Sequence, residues 1–434
     1  MNRDRAMEII GKVIRLSDAG AVTAGVGRGI FQSTRLADNV ITQNVASDDS
    51  SIWVECAYGR SHGGASTNDL SDESLRAVVK RAQDIARVSP PDPEYMPPLK
   101  PKEAGKYPVV SAFAGRTLDL NPREKARELA AAVKKVRALK LRLSGGYSTG
   151  GWYSAFGNSA GLRAWHRSTN AEAHMTVLGG AGSGWAQEIS ADSGEIDPVR
   201  VAATAADIAV RAKNPAGLPA GKYDVIMRPA AAAELLIFMF FGGFNAKACD
   251  EGRSFLRGKL GKRVFGGNVT LRTDPVEPKC PGAPYLGDGL AARPLDWVRN
   301  GTIANLIYSR FWAKKKRKAP TGRPTNIIMD GGNDSVDHMI AGTENGLLIT
   351  RFWYIRDVDP MVPSVTGMTR DGLFEIRNGK VGRAVRHMRF NENLVDLFNR
   401  VEALGKPERT GGYSAMLVPA IKVKDFNFTS TTKF

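Results

Sequence analysis

Apolar residues recur every three or four positions in four stretches of the first half of the chain, which predicts four amphipathic helices. We predict these helices over residues 3–18, 68–87, 121–139 and 197–213. The second has the clearest start, because Ser71 or Asp72 can cap it and its early acidic residues suit the helix dipole. Between the helices the periodicity changes to two, in residues 21–58 and 141–189, and this alternation indicates antiparallel strands.

The second half alternates in many short segments separated by Gly and Pro, which predicts a domain rich in mostly antiparallel sheet. Residues 223–227 and 302–312 are two of these predicted strand segments. Asn378-Gly379 lies between apolar runs, a strong signal for a hairpin turn. Residues 89–108 contain seven prolines and are predicted to be an extended connector without regular structure.

These patterns place the chain in the α+β class with two domains. The N-terminal domain combines antiparallel strands with helices, and the C-terminal domain is sheet-rich with one buried helix. We divide the chain into residues 1–108, which end with the Pro-rich connector, residues 109–216, and residues 217–434. A linker rich in Gly and Pro, residues 214–221, marks the boundary between the two domains.

The buried helix is predicted from residues 229–244, where four alanines precede a run that is apolar on every side. Such a helix belongs to a protein core or to a membrane. About fifteen residues precede Gly242-Gly243, fewer than the roughly twenty that cross a bilayer. We therefore predict a core helix with Phe238 and Phe241 buried, and no membrane association.

The composition of the chain indicates its class of protein and its compartment. Hydrophobic residues make up 42% of the 434 residues, enough for a large core. The three cysteines are few and far apart, and no signal-peptide pattern opens the chain, so we expect a cytoplasmic protein. The formal net charge of +17 is spread along the chain, with one dense run at Lys314, Lys315, Lys316, Arg317 and Lys318. This run is either a solvated loop or a contact surface for an acidic partner or nucleic acid.

Several segments together resemble the TldD/PmbA family of metallopeptidases. The order of the segments carries the resemblance: residues 56–87, the turn Gly157-Asn158-Ser159-Ala160-Gly161, residues 217–225, residues 254–265, residues 342–350 and residues 366–380. The resemblance implies a C-terminal domain that, in the metal-bearing branch, carries a His-Glu-x-x-x-His helix. At the position we match to that motif this chain has Ile237, Phe238, Met239, Phe240, Phe241 and Gly242.

A catalytic zinc needs about three protein ligands and an open position for water, and none of these six residues supplies a ligand or a general base. In the metal-bearing branch a distal cysteine is the third ligand, and no cysteine follows Cys280 here. The resemblance therefore points to the metal-free PmbA (TldE-like) branch. We expect no catalytic residue, no metal ligand and no cofactor in this chain, with Ile237, Phe238 and Gly242 at the degenerate motif.

The same resemblance implies a partner, either a zinc-bearing TldD-like homologue in a heterodimer or a second copy in a homodimer. Residues 253–265 and 347–379 are the expected flanks of that interface. The substrate would be a peptide, and the residues expected to line its chamber are Phe241, Asn245, Arg253, Ser254 and Phe255.

Other candidate sites are weaker. His166 and His174 share a predicted strand without a third ligand, and His338 lies among acidic residues at a predicted helix start. Ser159 lacks the surroundings of a serine nucleophile, and the Gly-rich residues 179–184 lack the Lys of a phosphate loop. Three functions remain open: the non-catalytic subunit of a two-component zinc metallopeptidase acting on unfolded or small peptides, an independent hydrolase with an unrecognised site, and a basic protein that binds nucleic acid or another polyanion.

Overall fold

A computed structural model describes residues 1–359, 361–411 and 415–432, and it confirms the α+β class. Its strands form three sheets, one in the N-terminal half and two in the C-terminal half. The elements of the first half are α1 (Arg3–Leu16), β1 (Ala21–Ala37), β2 (Val40–Tyr58), β3 (Ser61–Thr67), α2 (Asp72–Val88), α3 (Pro101–Ala104), α4 (Gly115–Asp119), α5 (Pro122–Ala138), β4 (Arg142–Asn158), β5 (Arg163–Gly179), β6 (Gly182–Ser190), a 3₁₀ turn (Ser193–Glu195) and α6 (Pro198–Arg211).

The four helices predicted in this half are confirmed as α1, α2, α5 and α6, and the predicted strand regions contain β1, β2, β4, β5 and β6. β3 lies outside those regions and was not predicted. The Ser71 hydroxyl caps α2 by accepting a hydrogen bond from the Ser74 N–H at 3.3 Å. Leu75, Val78 and Val79 on the apolar face of α2 are buried. The Pro-rich connector was predicted to have no regular element, and this is wrong for one turn: Pro101 begins α3, where a proline is tolerated because the first N–H has no partner.

The sheet of the first half is antiparallel throughout, in the order β3-β2-β1-β4-β5-β6. Helices α1 and α2 pack with it around one apolar cluster, and α5 and α6 pack around a second. Amphipathic helices bury their apolar stripe against a sheet in this way, so the pattern of the sequence and the layers of the fold agree.

The C-terminal half contains more elements, most of them short. They are β7 (Gly221–Met227), α7 (Pro229–Gly243), α8 (Ala246–Asp250), β8 (Leu271–Thr273), β9 (Leu295–Arg299), β10 (Thr302–Ile303), α9 (Arg310–Lys315), β11 (Ile327–Met329), α10 (Val336–Ala341), β12 (Asn345–Asp359), β13 (Ser364–Arg377), β14 (Lys380–Ala384), β15 (Met388–Asn393), α11 (Leu394–Asn399), β16 (Val401–Leu404), β17 (Glu408–Thr410), β18 (Met416–Val418) and β19 (Ile421–Thr431).

Two sheets organise this half. One has the order β10-β9-β8-β11-β18-β17, and the other has the order β12-β7-β19-β15-β13-β14 with β16 beside β19. Because β12 also pairs with β13, the strands β12, β7, β19, β15 and β13 form a closed ring of pairings. The rings of Phe352, Phe390 and Phe426 pack together in the core, with centroids 4.7 to 5.7 Å apart. The pairings are antiparallel except β7 with β12 and β11 with β18, as the prediction of a mostly antiparallel domain requires.

One strand prediction for this half is wrong. Residues 302–312 were expected to be strand, but only Thr302 and Ile303 are, and α9 begins at Arg310. The Ser309 hydroxyl caps α9 by accepting from the Trp312 N–H at 3.2 Å, and the Trp312 side chain is buried. Burial of one aromatic ring beside a cap therefore outweighs the strand propensity of the segment.

Helix α7 begins at Pro229 and packs against both sheets as part of the largest apolar cluster of the described residues. Its buried side includes Leu235, Leu236, Met239 and Phe240. Among the described residues, no helix has both the length and the apolarity that crossing a membrane requires.

Candidate functional site

One face of α7 is only partly covered by the core. Ala230, Glu234, Ile237, Phe238 and Phe241 follow one another at helical spacing, and none of them is fully buried. Phe241 is 42% exposed, so the prediction that it is buried is wrong, and Phe238 is only partly buried. The sequence pattern predicted burial on every side of the helix because this face carries almost as many apolar residues as the buried face. The open face of α7 is therefore an apolar surface with a single carboxyl group in it.

The positions matched to the metal motif have no metal-binding chemistry. Ile237 and Phe238 pack partly against the core, and Gly242 is exposed at the end of the helix. Within the described ranges, no group of three or more His, Cys, Asp or Glu side chains could hold a metal ion. A zinc centre of the kind that the family resemblance implies does not fit the residues of this helix.

Glu234 is the residue of this face that no sequence motif singled out. Its Oε2 is buried and has no hydrogen-bond partner among the described residues, while the Phe352 backbone N–H donates to the carboxyl group. Burial raises the pKa of Glu234 to about 8, although the positive charge of Arg351 opposes this shift. At neutral pH the carboxyl group is therefore mostly protonated. The signal in the sequence was a lone acidic residue inside an apolar run.

Glu234 also offers a second register for the degenerate motif. If the only carboxylate of α7 is matched to the Glu of His-Glu-x-x-x-His, the six positions become Ala233 to Phe238. Alanine and phenylalanine then stand at the two histidine positions, and neither binds zinc. Neither register provides a zinc ligand. In the second register the Glu of the motif is retained as Glu234, but both histidines are replaced.

The residues predicted to line a chamber after α7 make contacts that hold the chain together locally. The Ser254 hydroxyl donates to the Gly243 carbonyl at 2.6 Å, and Phe255 is buried against Gly243. The Asn245 side chain caps α8 by accepting from the Ala248 N–H at 3.0 Å. Arg253 forms an ion pair with Glu251. Their role in a chamber stays a prediction.

The hairpin formed by β12 and β13 carries further exposed apolar residues. β12 pairs with β7 only from Leu347 to Ile349, and the Phe352 N–H beyond this pairing donates to Glu234 of α7. After Phe352, β12 has β13 on one side and no paired strand on the other among the described residues. This part of the hairpin and its turn expose large apolar side chains: Trp353, Tyr354, Val358, Met361 and Val362. Exposed apolar residues this numerous in one hairpin are typical of an interaction surface.

The histidine candidates are not assembled into a site. His166 is partly buried, which lowers its pKa, whereas His174 contacts Glu172 at 3.2 Å further along the same strand. The His338 Nδ1 lies 2.7 Å from Asp334 Oδ1 at the start of α10, as expected of a helix terminus with an acidic residue. The Ser159 hydroxyl accepts from the Val22 N–H at 3.0 Å and has a structural contact.

The basic run 314–318 is partly folded back onto the protein and is not one loop. Lys314 and Lys315 belong to α9, and the Lys315 ammonium lies 4.5 Å from the centre of the Trp312 ring. Lys316 forms an ion pair with Asp250 at 3.1 Å, and Lys318 lies over the Tyr308 ring. Part of the charge of this run is thus used within the fold. A role in binding a polyanion stays a prediction.

Comparison with known proteins agrees with this architecture. Family models described as PmbA/TldA metallopeptidase domain 1, central domain and C-terminal domain match residues 24–86, 116–213 and 220–430. The metalloprotease PmbA of Escherichia coli O157:H7 is 23% identical over 94% of this chain and 92% of its own length. The metalloprotease PmbA homologue of Haemophilus influenzae is 22% identical over 88% and 86% of the two chains.

Solved structures show the same fold. TldE from Thermococcus kodakarensis superimposes with a TM-score of 0.88 at 17% identity, covering 98% of this chain and 100% of that one. A protein from Thermotoga maritima described as a putative modulator of a DNA gyrase superimposes with a TM-score of 0.87 at 18% identity, with the same coverage.

Proposed function

The chain belongs to the PmbA/TldD metallopeptidase family, and we propose that it is the non-catalytic, TldE-like subunit of a two-component zinc metallopeptidase. The complex would act on unfolded or small peptides. The observation that carries this proposal is the chemistry of the open face of α7. The chain has the fold of the family, but this face provides no zinc ligand in either register of the motif.

In this proposal the zinc, its ligands and the general base come from a zinc-bearing homologue, and no catalytic step is assigned to this chain. Three unpaired, buried cysteines are compatible with a reducing compartment, and we place the complex in the cytoplasm. A homodimer of this chain is the alternative assembly, and it would lack zinc ligands in both copies.

Two surfaces support the proposed partnership. The open face of α7 ends in Phe241, and the β12–β13 hairpin exposes Trp353, Tyr354 and Val358, so each provides apolar area for a partner to cover. The exposed part of the hairpin lies within residues 347–379, one of the two segments expected to flank the interface. After Phe352, β12 has no paired strand on one side among the described residues, so its backbone groups there are available to an extended peptide that adds as a further strand.

The proposal is tested by charge substitutions on this surface. We expect Phe241→Asp and Val358→Asp to abolish or strongly weaken the complex with a zinc-bearing homologue, because a carboxylate would be buried without a partner. The matched control is Val109→Asp, which changes a 93% exposed valine of the N-terminal half and should leave binding intact. Size-exclusion chromatography with light scattering gives the result.

A wild-type chain that remains a monomer at micromolar concentration in the presence of the homologue would contradict the proposal. The second function, binding of a polyanion, would then be tested by titration with duplex DNA at rising salt, because binding driven by phosphate contacts weakens steeply with salt.

A further inference from the structure

A cavity of about 450 Å³ lies where the β5–β6 hairpin and the end of α6 meet the strands β12 and β13. The segment 385–387 closes its remaining side. Its volume is within the range of about 300 to 1,000 Å³ that is usual for small-molecule sites. Because residues from both halves of the chain form its walls, a ligand here would contact both.

The charged groups of this cavity are mostly positive. Arg351, Arg370 and Arg386 line it, and Asp371 is the only acidic residue among the lining residues that the structure describes. Three arginines against one aspartate leave a net charge of +2 while His387 is neutral. Such a concentration of positive charge around a concave, partly enclosed space attracts anions.

Two of the arginines are held in place without a ligand. Arg351 Nε and Nη2 donate to Asp371 Oδ2 at 2.8 and 2.5 Å, and its guanidinium lies over the Trp185 ring at 4.8 Å. Arg370 lies over the Trp353 ring at 4.5 Å. Asp371 has a φ of +53°, an uncommon conformation for a residue other than glycine, which the ion pair with Arg351 helps to maintain. The arginines are therefore oriented before any anion binds.

In the segment 385–387, hydrogen bonds fix the backbone of Arg386 and His387, but polar atoms of these two side chains have no partner among the described residues. The Arg386 N–H donates to the Ala216 carbonyl at 2.9 Å, and the Thr432 N–H donates to the His387 carbonyl at 2.7 Å. Among the residues that the structure describes, the Arg386 guanidinium has no hydrogen bond or ion pair, and the buried His387 Nδ1 has no partner. Burial lowers the pKa of His387, and the nearby Asp371 opposes this effect. A buried polar atom without a partner is costly unless a ligand or water satisfies it.

We propose that this cavity binds the phosphate group of a small molecule. A phosphate monoester carries a charge of about −1.5 to −2 at neutral pH, which matches the net charge of the lining, whereas a single carboxylate carries half of it. The guanidinium groups of Arg370 and Arg386 suit phosphate oxygens, and the His387 ring offers a further nitrogen. Leu178, Met368 and Val385 provide an apolar wall for the organic part of an ester. This function is independent of the peptidase partnership.

The test uses the purified chain alone, in isothermal titration calorimetry at low salt, with inorganic phosphate, phenyl phosphate and succinate as probes. We expect one site that binds phenyl phosphate more tightly than inorganic phosphate, because the apolar wall contacts the ring. We expect Arg386→Gln to weaken binding about tenfold or more, the effect of losing one charged hydrogen-bond donor. Arg386 is exposed and has no side-chain partner in the described structure, so this variant should fold normally.

Arg389→Gln is the matched control, because Arg389 is an exposed arginine of β15 outside the cavity, and it should bind like the wild type. Stronger binding of inorganic phosphate than of the ester would assign the site to free phosphate and overturn the ester. Equal binding of succinate and phenyl phosphate, equal loss in the two arginine variants, or no measurable heat with any phosphate would overturn the proposal as a whole.

Discussion

Replacement of Glu234 by Gln tests whether the only carboxyl group of α7 is neutral inside the protein. Burial raises its pKa from 4.5 to about 8, so between these two pH values the folded chain binds a proton that the unfolded chain has released. The contribution of Glu234 to stability is therefore complete below pH 4.5 and is lost as pH rises to 8. A difference of about 3.5 pKa units corresponds to about 5 kcal/mol in total, of which about 3 kcal/mol falls between pH 5 and pH 8.

Gln cannot ionise, and its side-chain carbonyl keeps the acceptor that the Phe352 N–H uses. We expect urea unfolding to show that the stability of Glu234→Gln relative to the wild type increases by about 3 kcal/mol from pH 5 to pH 8. The comparison with the wild type removes the effect of all other titrating groups. Glu344→Gln, at an exposed position, is the control and should show no such change. If the difference in the free energy of unfolding between the wild type and Glu234→Gln does not change with pH, the burial of this carboxyl group is refuted.

Two further predictions concern folding. Phe240→Ala should lower the free energy of unfolding by about 3 to 5 kcal/mol, because Phe240 is fully buried against Phe244 and Trp297. Phe241→Ala should change the free energy of unfolding by less than about 1 kcal/mol, because Phe241 lies on the open face of α7. Equal losses of stability for the two variants in urea denaturation would contradict the position of the open face. Lys125 is fully buried, and burial lowers its pKa to about 8. Because the unfolded chain binds more protons between pH 8 and pH 10.5, the free energy of unfolding of the wild type should rise by about 3 kcal/mol relative to Lys125→Met over that range. Urea unfolding of both proteins at several pH values checks this, and a difference between them that does not change with pH would contradict it.

Elements with a strong local signal were predictable from the sequence. Helix α2 has a capping serine, acidic residues in its first turn and a regular apolar stripe, and its predicted and observed positions agree closely. The hairpin at Asn378-Gly379 also follows from local chemistry, since both residues have the positive φ that such a turn requires. In these places the local preference and the tertiary structure favour the same conformation.

Other features depend on contacts between distant residues and were not predictable in this way. The open face of α7 is apolar, so its exposure depends on which elements fail to cover it. The cavity joins Arg351, Asp371 and His387 to the β5–β6 hairpin, about 170 to 200 residues earlier in the chain, and no local pattern connects these segments. Helix α9 shows the same limitation, because the burial of Trp312 decided its conformation.

The zinc content and peptidase activity of this chain, alone and in complex with a zinc-bearing family homologue, test the central claim most directly. We predict that the purified chain alone contains no stoichiometric zinc by elemental analysis and cleaves no unfolded or small peptide, because α7 has no metal ligand. The complex should contain one zinc per pair of subunits and should cleave peptides. One equivalent of tightly bound zinc in this chain alone, with peptidase activity that is lost on its removal, would contradict the account.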